Sequence, residues 1–179
     1  MNSKPKILYH GSQRHIESGV IRPMPAHRNN MKTKVTAVFA TSNFARAKNY
    51  ACMRVIAYGL KSPIENDTLY VHTLNPDISG KKAYVYELDS DGFELDVGNS
   101  YYSLIDKPIK KETIIDVMQE IQEGRIKVYV LKPEINCPPD RADIWEELVK
   151  DKDNFELYKP NTNSVNMSVL AQSMKGGRF

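Results

Sequence analysis

Short apolar runs separated by turn residues run through most of this chain, and they predict a fold rich in strands. Residues 7–9 (Ile-Leu-Tyr) end at His10-Gly11-Ser12, which reads as a strand entering a polar turn. Residues 20–34 carry Pro23, Pro25 and Asn29-Asn30 and look like a loop, and residues 35–40 read as a second, β-branched strand. Thr41-Ser42-Asn43 then offers N-cap oxygens to a helix whose apolar positions are Phe44, Ala47, Ala51, Val55 and Tyr58, with Gly59 ending it. Further strands are expected over 68–74, 83–88, 93–97 and 101–105, with Asp91-Gly92 turning a hairpin between 83–88 and 93–97. Ile114, Ile115, Met118 and Ile121 share one helical face that stops at Gly124. Ile126, Val128 and Val130 alternate as a strand, and a short helix over 142–149 holds a partly buried Trp145.

The sum is an α+β chain dominated by strands, with one long helix after the second strand. Regular strand–helix alternation is missing, which disfavours a doubly wound parallel sheet. A length of 179 residues suits one domain, taken as residues 1–160. Residues 161–179, rich in Asn and Ser and then Lys-Gly-Gly-Arg-Phe, are expected to form a mobile or loosely docked tail.

Composition narrows the function classes. The balance of 25 basic and 22 acidic residues is too mild to imply nucleic acid by itself. No apolar run reaches the roughly 18 residues that span a bilayer, so no membrane partner is expected. Cys52 and Cys137 lack CxxC spacing, and His15, His27 and His72 lack ligand spacing, so no metal is expected. Two unpaired-looking thiols and the absence of a secretion-type apolar start suit the cytoplasm. The phosphate-cradling GxGxxG and GxxxxGK[ST] motifs are absent, and Ser12 beside His10 lacks the GxSxG elbow of a serine hydrolase. Arg14, Arg28, Lys32 and Lys34 bias the following segment toward positive charge, and the Tyr84/Tyr86 alternation reads as sheet packing.

The segments YHGSQRHIESGVIRP and VFATSNFARAKNYA, in that order, resemble the ADP-ribosyltransferase fold of the poly- and mono-ADP-ribosyl polymerases, His-Tyr type. His10-Gly11-Ser12 matches the family's first strand motif, and residues 19–23 its following turn. Phe39-Ala40 with Ala47-Lys48-Asn49-Tyr50 matches the second motif. Weaker likeness continues to about residue 131. The resemblance implies that NAD is the substrate. It implies that Gly11 backbone groups hold the nicotinamide carboxamide, that His10 contacts the adenosine ribose and orients the cofactor, and that Tyr50 stacks on the nicotinamide. Phe39 would line the pocket, while Ser12 and Arg22 would serve the nucleotide end. The implied chemistry is cleavage of the nicotinamide–ribose bond through an oxocarbenium-like state, with transfer of ADP-ribose to a protein or nucleic-acid acceptor.

The chain departs from the family pattern at two places. Tyr50 lies one residue later than the polymerase spacing, where Asn49 stands instead. Polymerases carry a Glu just before the aromatic strand that begins here at Tyr101, and this chain has Ser100 there. His10, Tyr50 and Ser100 are therefore the catalytic candidates, with Glu94 and Asp96 as neighbouring carboxylates. The missing Glu points to mono-transfer over polymer formation. Two other readings compete: an RNA 2′-phosphotransferase-like enzyme recruiting His15 and Arg22, and a catalytically silent domain that binds NAD, ADP-ribose or a protein.

Overall fold

Four fully buried side chains of one strand divide the protein into layers. Ala83 and Val85 point to one face of residues 82–89 and Tyr86 and Leu88 to the other, so this strand has a core on each side. The computed structural model of the chain describes residues 4–27, 34–62 and 64–160. The expected tail, residues 161–179, lies outside the described residues, as do Arg28 and Lys32.

In chain order the elements are β1 (Ile7–Ser12), β2 (Val20–Ile21), β3 (Met24–His27), β4 (Lys34–Thr41), α1 (Phe44–Ile56), β5 (Ala57–Lys61) and β6 (Thr68–Leu74). Then come β7 (Lys82–Asp89), β8 (Glu94–Leu95), β9 (Ser100–Ser103), β10 (Lys107–Asp116), α2 (Val117–Gln122), β11 (Lys127–Leu131), α3 (Ala142–Leu148) and β12 (Phe155–Leu157). The larger sheet has the order β2-β10-β7-β1-β4-β9-β8, with β3 paired to β4. The smaller runs β12-β11-β6-β5, and its β6–β11 pair is parallel. The fold is a strand-rich α+β fold built largely of antiparallel sheet.

Helix α1 begins where its sequence offers a cap. The Asn43 side chain accepts a hydrogen bond from Arg46 N at 3.1 Å, and Thr41 Oγ1 accepts from Asn43 N at 3.2 Å. Its buried face (Ala47, Ala51, Cys52, Val55, Ile56) packs with Leu69, Val71, Val85, Ile121 and Val128 into the core between the sheets. A second core on the far side of β7 gathers Leu8, Ile21, Val38, Ala40, Tyr86, Leu88, Phe93 and Tyr101. A third joins Trp145 to Leu131, Cys137 and Phe155, so Trp145 is buried.

Several expectations need correction. The segment read as a loop over 20–34 contains β2 and β3, so the long helix follows the fourth strand and not the second. Two residues are too few to show a period, and Pro25 obscures β3. The helix stops at Ile56, because Ala57 is already extended and begins β5. Gly59, at φ +70°, supplies an irregularity between Tyr58 and Lys61 where β5 pairs with β6. Asp91-Gly92 does sit in a turn, closed by Phe93 N donating to Ser90 O at 3.0 Å, but no hairpin joins its two sides. Both edges of β7 are taken by β1 and β10, and β8 pairs with β9 instead. The strand expected over 93–97 shortens to Glu94–Leu95, and the one over 101–105 becomes Ser100–Ser103. Finally, Ile114 and Ile115 belong to β10. Ile114 is 58% exposed and Ile115 8%, the opposite facing of strand neighbours, and Asp116 caps α2 by accepting from Gln119 N at 3.1 Å.

Candidate functional site

The direction of backbone groups shows where the larger sheet opens. Ser90 N donates to Lys6 O at 3.1 Å, so the even-numbered residues of β1 face β7, and the odd ones, Tyr9 and Gly11 among them, face β4. On β4, Ser42 N donates to Asn99 O at 3.1 Å, which turns even residues toward β9 and odd ones toward β1. Pro25 has no N–H, so β3 bonds to β4 through Met24↔Ala37 and Ala26↔Val35, on that same odd edge. One edge of β4 is therefore shared, with β3 along Val35 and Ala37 and β1 at Tyr9↔Thr41. Between them the two strands separate, and the backbone groups of Gly11 and Phe39 face the split.

His10 bridges this split. Its Nδ1–H donates to the Phe39 carbonyl at 2.7 Å, since a carbonyl only accepts, and in the neutral ring Nε2 is then an acceptor. Burial lowers the imidazole pKa below its ordinary 6.5, and the Phe39 hydrogen bond opposes this in part, so the ring is neutral at pH 7. Across β7 and β10, His10 is in register with Tyr86 and Glu112. The Tyr86 hydroxyl accepts from Ile16 N at 2.9 Å, and burial pushes its pKa up to about 12. The segment after β1 is thereby tied over β7.

Gly11 has a packing role that the sequence does not reveal. A Cβ built there would lie 2.1 Å from Ala47 O and 3.3 Å from Ala51 Cβ, so the missing side chain admits α1 rather than a ligand. What faces the split is its backbone edge. Ser12 is engaged locally, its Oγ donating to Arg14 O at 2.8 Å and accepting from Arg14 N at 3.1 Å. Arg22 is exposed at the end of β2. His15 pairs with Glu112 at 3.0 Å, and its ring lies 5.3 Å from that of Tyr84.

Helix geometry separates the two candidates on α1. Ala47 and Ala51 face Gly11. At about 100° per residue, Tyr50 stands about 60° from Ala47 around the helix, whereas Asn49 stands about 160° away. Tyr50 is thus the one on the Gly11 side. Its ring is 46% exposed and lies under Arg54, whose guanidinium carbon is 5.0 Å from the ring centre and whose Nη2 donates to the hydroxyl at 2.5 Å. Among the described residues the buried Asn49 Oδ1 has no hydrogen-bond partner.

Ser100 is buried and registers with Thr41, which registers with Tyr9, so the three form a row on the face that carries α1. One row along, Phe39 registers with Tyr102 and Tyr102 with Glu94. The Tyr102 hydroxyl donates to Glu94 Oε2. Sequence reasoning singled out Glu94 as one of two carboxylates and passed over Tyr102, because only the β8–β9 register brings them together. Beside this pair a cavity of about 140 Å³ is lined by Gly92, Glu94, Tyr102, Ser103, Leu104 and Ile105. A second, of about 320 Å³, lies between Ile121–Lys127 and Leu157–Pro160, away from His10.

Among the described residues no cluster of His, Cys, Asp or Glu side chains is placed to hold a metal ion, and no helix is long and apolar enough to cross a membrane. Compared with known proteins, the chain matches no family model, no curated protein and no solved structure.

Proposed function

We propose that this chain is an NAD-dependent mono-ADP-ribosyltransferase of the His-Tyr type, acting on a protein or nucleic-acid acceptor in the cytoplasm. The observation that carries the reading is the Gly11 backbone edge, one N–H and one C=O directed at a split in the sheet. That donor–acceptor pair suits a primary carboxamide, whose carbonyl accepts and whose NH₂ group donates on the same side. His10 supports it: Nδ1 is engaged by Phe39, so the neutral ring has Nε2 to accept from a ribose hydroxyl. With the carboxamide held, the nicotinamide–ribose bond is fixed in position, and its cleavage places positive charge on the ribose carbon. Stacking by Tyr50 requires that Arg54 yield its place over the ring.

One observation favours a second reading, a silent NAD- or ADP-ribose-binding domain. At Ser100 the site has a hydroxyl and no carboxylate, and the position is buried, 8% exposed. Labelled NAD with purified protein and lysate distinguishes the two. Transfer of label, lost in His10→Ala, is expected. A rise in melting temperature with nicotinamide, without transfer or nicotinamide release, would support the silent domain. If neither nicotinamide nor NAD shifts the melting of folded wild type, both readings fail.

A further inference from the structure

Resting on the transferase reading, we infer that Glu94 is the carboxylate of this site and takes the role that Ser100 lacks the charge to play. Cleavage of a glycosidic bond through an oxocarbenium-like state calls for a carboxylate near the developing charge. Three independent features direct this role to Glu94. The first is facing: Phe39, Tyr102 and Glu94 are directly opposite one another on successive strands, so their side chains share one face of the sheet. That is also the face of Tyr9 and Gly11, because Thr41 and Phe39 are two residues apart on β4 and Thr41 registers with Tyr9. The row extends from the split outward, and Glu94 stands two strand spacings, about 10 Å, from Phe39.

The second feature is orientation. Glu94 Oε2 accepts a hydrogen bond from Tyr102, which fixes the carboxylate beside the intervening strand. The third is access. Glu94 is exposed at the short edge strand β8, and the cavity of about 140 Å³ opens beside it. Ser100, by contrast, is enclosed between Thr41 and the turn whose Val97 O accepts from Ser100 N at 3.0 Å.

The step balances as follows. The bond from ribose C1′ to the nicotinamide nitrogen breaks, its electron pair neutralises the pyridinium, and nicotinamide leaves. Glu94 faces the positive charge on C1′. A water molecule, or the nucleophile of the acceptor, then bonds to C1′ and gives its proton to the Glu94 carboxylate, which releases it to solvent.

The test measures nicotinamide release from NAD by purified full-length wild type, Glu94→Gln and Glu94→Ala, with the nicotinamide-induced melting shift as the binding readout. Release is expected to fall at least tenfold in Glu94→Gln while the melting shift persists. Added formate, a small carboxylate, is expected to restore part of the release in Glu94→Ala, which a structural role for Glu94 does not allow. Wild-type release unchanged in Glu94→Gln would overturn the assignment and leave the transferase reading standing, as would loss of release in both variants with no rescue by formate. Absence of both release and melting shift in wild type would overturn the transferase reading and this assignment with it.

Discussion

Gly11 tolerates no side chain where it stands. Because a Cβ would press into the backbone carbonyl of Ala47, which belongs to a helix and has little room to retreat, Gly11→Ala should cost about 1–3 kcal/mol. A fall in the urea midpoint measures this, and an unchanged midpoint would show that α1 moves aside freely. His10 gives a pH-dependent prediction. Its folded pKa lies below 6.5 while the unfolded chain titrates near 6.5. Above that pH both states are neutral and His10 adds no pH dependence. As pH falls below 6.5 the unfolded chain binds its proton first, so stability declines until folded His10 protonates too, and then levels off. A proton NMR titration of the His10 ring should give a midpoint below 6.5, and one at or above 6.5 would contradict the burial argument. Both residues were legible as candidates from the His-Gly-Ser string. Their reasons were not, since Gly11 answers to α1 and His10 to the Phe39 carbonyl, each far away in sequence.

Helices α1 and α2 are joined by charge as well as by apolar packing. Lys48 Nζ lies 2.5 Å from Glu120 Oε2, and Arg125 Nε lies 2.9 Å from Oε1. The Lys48 and Glu120 side chains are only 15% and 10% exposed. Glu120→Ala strands a buried ammonium and should cost about 3 kcal/mol in urea denaturation. Glu147→Ala, which removes the partner of Lys150 on the open surface of α3, should leave the midpoint where it is. Equal effects would mean that the α1–α2 pair is as solvated as the surface pair. Removing the α1 cap by Asn43→Ala should cost about 1 kcal/mol in the same assay. That cap was readable from Thr41-Ser42-Asn43, because capping is local chemistry. The extent of α2 was not: Ile114, Ile115, Met118 and Ile121 fit a helical spacing, yet Ile109 and residues 111–116 pair with β7, and the ladder outweighs the local period.

Across the whole molecule, folding hides both thiols. Cys52 and Cys137 are free and buried. Burial pushes the Cys52 pKa from 9.0 to about 12, helped by Glu120 nearby, and burial raises Cys137 as well. A thiol-reactive disulfide reagent at pH 8 should therefore modify native protein slowly and denatured protein at once, with the native rate tracking unfolding. Fast native labelling of one equivalent would show a thiol exposed without unfolding. The order of the strands belongs to this level too. β7 collects β1 and β10, about a hundred residues apart, as its two neighbours, and thereby denies the local hairpin that Asp91-Gly92 predicts.

The residue string by itself determined the local features: the strand at 68–74, the central strand and its alternation, the start of α1 and the turn glycines. Each depends on a period of two or 3.6 residues, or on a cap within three residues, and so is written in adjacent positions. Only the tertiary structure decided which strands pair, that β3 and β1 share one edge of β4, and that Glu94, Tyr102 and Phe39 stand in one row. Pairing between distant strands depends on which apolar faces can be buried together and which edges are already filled. That competition is settled by the whole chain at once, so no local stretch of sequence carries it.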